Sequence, residues 1–187
     1  MTRDYPQIIT NRLLLRLPQV NEAAEISNFL QQENSHLAGW ETFKGDDYLT
    51  ENHWQLRIAI YREQFLHDIS CCLILRDRET DVFMGMVDYT HIIRNCFESC
   101  FLGFKIGEAF QGKGYMTEAI SASLSYVFNT LNLHRVAACY MPRNIASGRV
   151  LEKCKFQKEG FAPAYIDVNG VWEDHVLTSI INPRWKA

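Results

Sequence analysis

The chain has 187 residues, of which 47% are hydrophobic and 22% are charged, and its formal net charge is −3. These values are typical of a globular domain with a sizeable core, and they exclude disordered and fibrous proteins. They also argue against a general nucleic-acid-binding protein, because such domains carry a basic stripe that neutralises phosphates.

Membrane association and metal binding are not expected either. No apolar run approaches the roughly 20 residues of a membrane helix, and segment 1–7 carries charges and a proline where a signal peptide would be apolar. The six cysteines lie mostly inside apolar runs and form no Cys-x-x-Cys pair, which favours buried free thiols in a reducing compartment. His91, Cys96 and Cys100 lack zinc-site spacing and a fourth ligand. We therefore expect a cytoplasmic protein without a metal.

The first third of the chain predicts a strand, two helices and the loop that joins the helices. The strand lies at 11–17, the first helix at 20–30, the loop at 37–48 and the second helix at 50–65. Asn21 is the predicted N-cap of the first helix and Thr50 that of the second. In the second helix, Trp54, Ile58 and Tyr61 recur at helical spacing and are expected to face the core.

Strands and helices alternate in the rest of the chain. The predicted elements are a hairpin of strands at 69–75 and 82–89, a strand at 97–106, a helix at 116–131, a strand at 135–140, a helix at 146–153, and strands at 156–162 and 171–181. There is no internal repeat and no linker. This order predicts one mixed α/β (α+β) domain over residues 1–187.

A glycine loop stands between the strand at 97–106 and the helix at 116–131. Gly112 and Gly114 can take positive φ, which would point successive backbone N–H groups into one concavity at a helix start. Free N–H groups and the helix dipole favour a phosphate there. No Ser or Thr follows Gly112-Lys113 as in a nucleotide-hydrolysing loop, and no third glycine completes a dinucleotide fingerprint. The pattern predicts a phosphate ligand of another kind.

In this context the chain resembles the GNAT acetyltransferases, and within them the RimJ/RimL group, over nearly its whole length. The segment Gln111-Gly112-Lys113-Gly114-Tyr115-Met116 resembles the family loop that holds the pyrophosphate of acetyl-CoA. Asn144-Ile145-Ala146-Ser147 resembles the Asn-x-x-Ser/Ala helix start beside the pantetheine arm. Segments 10–16 and 172–177 are similar to the opening and closing strands of the group. The resemblance implies a GNAT fold with a mixed, mostly antiparallel sheet.

The resemblance also implies which residues contact the cofactor acetyl-CoA. They are Phe104, Ile106, Gln111, Gly112, Lys113, Gly114, Tyr115, Met116, Thr117, Asn144 and Ser147. Three positions depart from the family pattern. Met116 replaces a small residue, Lys155 replaces the glycine before Phe156, and Leu151 replaces a tyrosine proposed to protonate the departing thiolate.

The implied reaction is acetyl transfer from acetyl-CoA to the N-terminal α-amine of a protein. An α-amine titrates near ~7.7–8.0 and a lysine near ~10.4, so that deprotonating a lysine costs about 3.4 kcal/mol more. The resemblance to the RimJ/RimL group suggests that the acceptor is a small-subunit ribosomal protein with an N-terminal alanine. Two alternatives remain open: acetylation of a small amine, such as an antibiotic, amino acid or polyamine, and a CoA-binding, ribosome-associated interaction module. The oligomeric state is also open.

Two catalytic residues are predicted. Glu98 is the first candidate for the general base, because strand periodicity places it on one face with Cys100 at the start of the strand that leads to the loop. Asp88, Glu41 and Asp174 are alternatives that the sequence does not rank. Ser147 is the candidate beside the thiol, and Asn144 either caps a helix or binds the pantetheine amides.

Overall fold

A single sheet carries the fold in a computed structural model that describes residues 4–42, 44–45 and 47–186. Within these residues the sheet has eight strands in the order β1-β2-β3-β4-β5-β6-β8-β7. The strands are β1 (Gln7–Ile9), β2 (Leu13–Arg16), β3 (Cys71–Asp77), β4 (Phe83–Ile93), β5 (Ser99–Ile106), β6 (Arg135–Tyr140), β7 (Gln157–Val168) and β8 (Val171–Ile181). The helices are α1 (Ala23–Gln32), α2 (Asn34–Leu37), α3 (Glu51–Leu66), α4 (Tyr115–Asn129) and α5 (Ile145–Lys153). The predicted mixed α/β class is confirmed.

Most predicted elements occur, and the differences have local causes. β1 was not predicted, because three residues are too few to show an alternating pattern. The cap at Asn21 is wrong: residues Val20–Glu22 form a 3₁₀ turn, and the Glu22 carboxylate accepts the N–H of Gln19 at 2.7 Å. Thr50 caps α3 as predicted and accepts the N–H of His53. The predicted loop at 37–48 includes Phe43 and Asp46, which lie outside the described residues.

Strands β5 and β6 run parallel and separate after three residue pairs. The last pair is Phe101 with Ala137, whereas β5 continues along β4 as far as Ile106 opposite Gly85. Gly85 allows this close approach, because a Cβ there would collide with the carbonyl oxygen of Lys105. β6 in turn stays paired with β8 along its whole length. The sheet therefore has an opening between β5 and β6, which we call the β5–β6 opening.

Two hydrophobic clusters cover the two faces of the sheet. On the first face, α4 packs through Met116, Ala119, Ile120, Leu124 and Val127, all of them buried. On the second face, α1 and α3 pack on Cys72, Ile74 and Met86 through side chains that include Trp54 and Ile58. We call these the α4 face and the α3 face. The β5–β6 opening is therefore flanked by side chains of α4 on one face and by side chains of α1 and α3 on the other.

All six cysteines are free thiols in the described part of the chain; four are buried, Cys139 is half-buried and Cys96 is exposed. No described helix is long and apolar enough to cross a membrane. Among the same residues, no group of three or more His, Cys, Asp or Glu side chains is placed to hold a metal ion.

The turn after α5 takes a left-handed conformation at Lys155, where the resemblance implies a glycine. Lys155 takes φ +69° and donates its N–H to the carbonyl of Glu152 at 2.9 Å. Its side chain is exposed. A left-handed conformation costs a non-glycine residue about 1–2 kcal/mol, so this turn stores strain that no side-chain packing offsets.

We predict that Lys155→Gly raises the free energy of unfolding by about 0.5–1 kcal/mol. Relief of the left-handed strain outweighs the roughly 0.4–1 kcal/mol that a glycine loses through its freer unfolded chain. Urea unfolding measures the change. The matched control is Arg149→Gly at an exposed, regular position of α5, which should lower stability by about 1 kcal/mol. Equal losses in both variants would contradict the strain.

Candidate active site

The glycine loop has the geometry of an anion site. Gly112 and Gly114 take φ +71° and +82°, and α4 begins directly afterwards at Tyr115. The backbone N–H groups of residues 112–117 have no hydrogen-bond partner within the described residues. A Cβ built on Gly112 would meet no atom within 4 Å. Six consecutive donors therefore stand free around an open concavity at a helix start.

Arg12 holds the loop from the β2 side, a role that the sequence did not reveal. Its Nη1 donates to the carbonyl of Lys113 at 3.0 Å, and its guanidinium lies 4.3 Å from the centre of the Tyr115 ring. It also pairs with Glu118 in the first turn of α4 at 2.6 Å. Burial alone would raise the pKa of Glu118, but hydrogen bonds from Thr10 and Arg12 outweigh it and lower that pKa. Only the spatial contact between β2 and α4 identifies Arg12.

Side chains of the loop itself point away from the concavity. Lys113 Nζ donates to the carbonyl of Ala109 at 2.8 Å, and Gln111 Nε2 lies 2.7 Å from Nε2 of His36. Met116 is only 5% exposed and packs in the core of the α4 face. The departure at Met116 therefore leaves the approach to the backbone amides clear.

The second group of predicted cofactor residues lies at the same edge of the sheet. α5 follows β6, and Asn144 caps it by accepting the N–H of Ser147 at 3.0 Å. Because β5 and β6 are parallel, their carboxyl ends bring the glycine loop and the start of α5 together across the β5–β6 opening. Phe104 and Ile106 pack their side chains against the core and leave their strand unpaired with β6.

Ser147 is half-buried, and its Oγ has no hydrogen-bond partner among the described atoms. Leu151, one turn further along α5, is 1% exposed and belongs to the core. A side chain at position 151 thus contributes packing, and Ser147 carries the free hydroxyl of α5 nearest to the cap.

The structure does not bring Glu98 to this edge. Glu98 precedes β5 at the end opposite to the loop, and its φ of +39° interrupts the strand, so that the assumed alternation with Cys100 does not apply. Its carboxylate accepts Arg94 Nη1 at 2.9 Å and the N–H of Asn95 at 2.9 Å. Arg94 pairs with Asp68 as well. This placement does not support the predicted base role.

A cavity of about 320 Å³ opens on the α3 face. Its lining consists of Lys44, Tyr48, His53, Trp54, Arg57, Tyr61, Met86, Asp88 and Lys105. The aromatic residues come from α3 and the preceding loop, and the charged residues Asp88 and Lys105 come from β4 and β5. The cavity combines an apolar wall with convergent charges, as binding sites for small ligand groups do.

Asp88 is a half-buried residue of the lining of this cavity. Its Oδ1 is buried and has no hydrogen-bond partner within the described residues. Burial raises the pKa of Asp88, and the Cys72 thiol, Lys105 and Lys44 oppose that rise only in part. Across the sheet, Asp88 pairs in register with Gly103 of β5. The position is one strand away from the β5–β6 opening.

Glu41 and Asp174, the other two alternatives to Glu98, already have partners. Glu41 pairs with Lys105 and, at 2.9 Å, with Lys44. Burial raises the pKa of Glu41, but the two ammonium groups outweigh it and lower that pKa. Asp174 is exposed and accepts the N–H of Ala164 at 2.8 Å. Within the described residues, Asp88 is the one of these four carboxylates with a buried oxygen that has no partner.

We predict that Asp88→Asn raises the free energy of unfolding at neutral pH, by on the order of 1 kcal/mol. A folded pKa above the unfolded value of about 3.9 means that ionised Asp88 opposes folding. The difference between variant and wild type should therefore grow as pH rises from about 4 through the folded pKa, and then level off. Thermal unfolding of both proteins across this range measures it; a gap that does not change with pH would contradict the prediction.

Comparisons with known proteins place this geometry in a family. The family model described as acetyltransferase (GNAT) domain matches residues 12–157. The chain is 32% identical over 179 residues to the [Ribosomal protein uS5]-alanine N-acetyltransferase of Escherichia coli (strain K12), covering 96% of this chain and 92% of that protein. The match to the family model and to this relative extends across the glycine loop and α5.

Solved structures agree with the sequence comparisons. The ribosomal-protein-S5-alanine acetyltransferase of Vibrio fischeri superposes with a TM-score of 0.93 at 34% identity, covering 97% of this chain and 100% of that one. Mycobacterium smegmatis RimJ in complex with CoA-disulfide superposes with a TM-score of 0.87 at 24% identity, covering 95% and 86% of the two chains, and shares the fold. The chain therefore belongs to the GNAT acetyltransferase family and is an N-acetyltransferase that uses acetyl-CoA.

Proposed function

We propose that the protein acetylates the N-terminal α-amine of a ribosomal protein, with alanine as the first residue, by direct transfer from acetyl-CoA. The observation that carries the proposal is the β5–β6 opening, which has the glycine loop and Ser147 at its carboxyl edge and a cavity with a free carboxylate on its α3 face. The names of the relatives at 32% and 34% identity support the acceptor. An acceptor on the small ribosomal subunit would place the enzyme in the cytoplasm.

The donor side of the site fits acetyl-CoA. The six free N–H groups of residues 112–117 offer more donors than a lone anion needs, and they suit the pyrophosphate. The unpaired strand at Phe104 and Ile106 offers backbone hydrogen bonds to the pantetheine amides, as does the side-chain amide of Asn144 that the cap leaves free. Gln111, Lys113, Tyr115, Met116 and Thr117 contribute through the loop and the first helical turn.

Acetyl-CoA supplies an activated acetyl group when it is bound. The protein must then keep the acceptor amine neutral, orient it and stabilise negative charge on sulfur. Ser147 is suited to the last task, because its hydroxyl is free and lies on α5 beside the opening. Direct transfer needs no nucleophile on the enzyme, and the cysteines nearest to the opening have pKa values raised by burial, which suppresses thiolate formation.

The acceptor claim is tested with a panel of amines. The protein is incubated with acetyl-CoA and with a peptide that begins with alanine, the same peptide blocked at its N-terminus and carrying a lysine, and free polyamines and amino acids. Release of CoA and the mass of the products are measured. We expect acetylation of the free α-amine only. Acetylation of small amines alone would overturn the protein acceptor, and no turnover despite tight binding of acetyl-CoA would favour a binding module.

We predict that Gly114→Val weakens CoA binding at least tenfold, as measured by calorimetry. The substitution forces a β-branched residue to φ +82° and places its side chain against Arg12, whose Nη2 would lie 3.6 Å from the new Cβ, so that the loop around the concavity is distorted. Gly170→Val is the matched control, since Gly170 takes φ +83° in the β7–β8 turn, with no atom within 4 Å of its Cβ. Both variants should lose stability, and only Gly114→Val should lose CoA affinity. Equal affinities would refute the phosphate assignment.

We predict that Ser147→Ala lowers turnover by roughly 10- to 100-fold and changes the affinity for acetyl-CoA less than threefold. The hydroxyl is expected to act mainly when charge develops on sulfur. Ser125→Ala, which removes an exposed hydroxyl on α4, is the control and should retain full turnover. Parallel losses of turnover and affinity would make Ser147 a binding residue only.

A further inference from the structure

The lining of the cavity on the α3 face includes a buried acceptor that no described residue satisfies. Buried polar atoms in folded proteins almost always have partners, and an unsatisfied one costs about 1–3 kcal/mol. Asp88 Oδ1 has none among the described residues, while Glu41 pairs with Lys105 and Lys105 also donates to the hydroxyl of Tyr48. A carboxylate with an unpartnered oxygen, in the lining of a cavity, favours a ligand that donates a hydrogen bond.

Gly103 connects this oxygen with the β5–β6 opening. It pairs in register with Asp88, it is exposed, and a Cβ on it would meet no atom within 4 Å. Adjacent strands lie about 4.8 Å apart, and Gly103 is the second residue of β5 after the last pair with β6. A group bound to Asp88 can therefore reach the opening across β5 at Gly103, where no side chain stands in between.

The charges around the cavity favour a neutral amine. The ionisable groups that face Asp88 come from three elements and one loop: Cys72 of β3, Lys105 of β5, His53, Arg57 and Tyr61 of α3, and Glu41, Lys44 and Tyr48 of the loop. Three permanent cations face two carboxylates, Asp88 included. This excess of positive charge lowers the pKa of a bound ammonium and leaves Asp88 as the carboxylate without a cation of its own.

We propose that Asp88 binds the acceptor's amino group in this cavity and takes its proton before acetyl transfer. The inference rests on the proposed function, because it assumes an amine acceptor. One proton passes from the ammonium to the Asp88 carboxylate and later to solvent. The N–C bond then forms as the C–S bond breaks, and the second amine proton ends on the CoA sulfur. The products are the amide, CoA thiol and one released proton.

The size of the cavity limits the acceptor. About 320 Å³ lies at the lower end of the range for small-ligand pockets, so the cavity takes one N-terminal residue and not a folded surface. Tyr61 and Trp54 form its apolar wall and are buried. The ligand class is therefore a primary amine on a small first residue, followed by an extended chain that leaves through the mouth of the cavity.

The first test compares Asp88→Asn with wild type in kcat/KM for an alanine peptide from pH 6.5 to 9.5. We expect a loss of roughly 10²- to 10⁴-fold at pH 7, as for removal of a general base. The loss should shrink above pH 8, where the α-amine is neutral without help. Affinity for acetyl-CoA should stay within twofold. The matched control Asp174→Asn should retain the activity and pH profile of wild type.

The second test does not depend on turnover. Calorimetry in the presence of CoA compares an alanine peptide with a free N-terminus and the same peptide acetylated at its N-terminus. Wild type should prefer the free amine at least tenfold, and Asp88→Asn should lose that preference. If only small amines are substrates, the claim of a protein acceptor fails. Wild type and Asp88→Asn are then compared with such an amine, and this comparison still decides the role of Asp88. Equal losses at every pH, or an unchanged preference, would overturn the proposal.

Discussion

The separation of β5 from β6 is the constraint on which the rest of the site depends. Two parallel strands that stayed paired would satisfy each other's backbone groups and close the sheet. Here β4 holds β5 as far as Gly85 opposite Ile106, and β8 holds β6 along its whole length, so that neither strand can move to close the gap. The backbone groups along the opening are thus available for a ligand that runs between the strands.

Both ends of the opening are supported by contacts that are distant in sequence. Arg12 of the β2 region ties the glycine loop to Glu118, and Tyr89 of β4 pairs with Ser123 of α4 at 2.8 Å inside the core. On the α3 face, the pair of Lys105 with Glu41 anchors the loop before α3 to the end of β5. The contacts of Arg12 and Tyr89 hold the glycine loop and α4, and the pair of Lys105 with Glu41 holds the wall of the cavity. The two sets of contacts share no residue. A bound amine and a bound thioester can therefore be positioned by separate parts of the structure.

The site contains several features that are unfavourable for stability. Gly112 and Gly114 take conformations with positive φ, and among the described residues six N–H groups of the loop and one buried oxygen of Asp88 have no partner. A substitution that made one of these positions more favourable for stability would also remove a group that faces the ligand. This pattern is typical of functional sites, where unsatisfied groups await a binding partner. Lys155 is strained for a different reason, since its turn lies outside the site and only connects α5 to β7.

Local patterns in the sequence determined the glycine loop, the cap at Asn144, most element positions and, through resemblance, the donor acetyl-CoA, because each depends on neighbouring residues. Tertiary structure alone decided the burial and the partners of the carboxylates. Glu98 looked suitable because the alternation of β5 was extended to the residue before the strand begins. Glu98 has a positive φ there and forms an ion pair with Arg94. Asp88, Glu41 and Asp174 were equivalent in the sequence, since burial and partners arise from β4, β5, α3 and the loop before it. A free oxygen can be recognised only when every possible partner is placed in space.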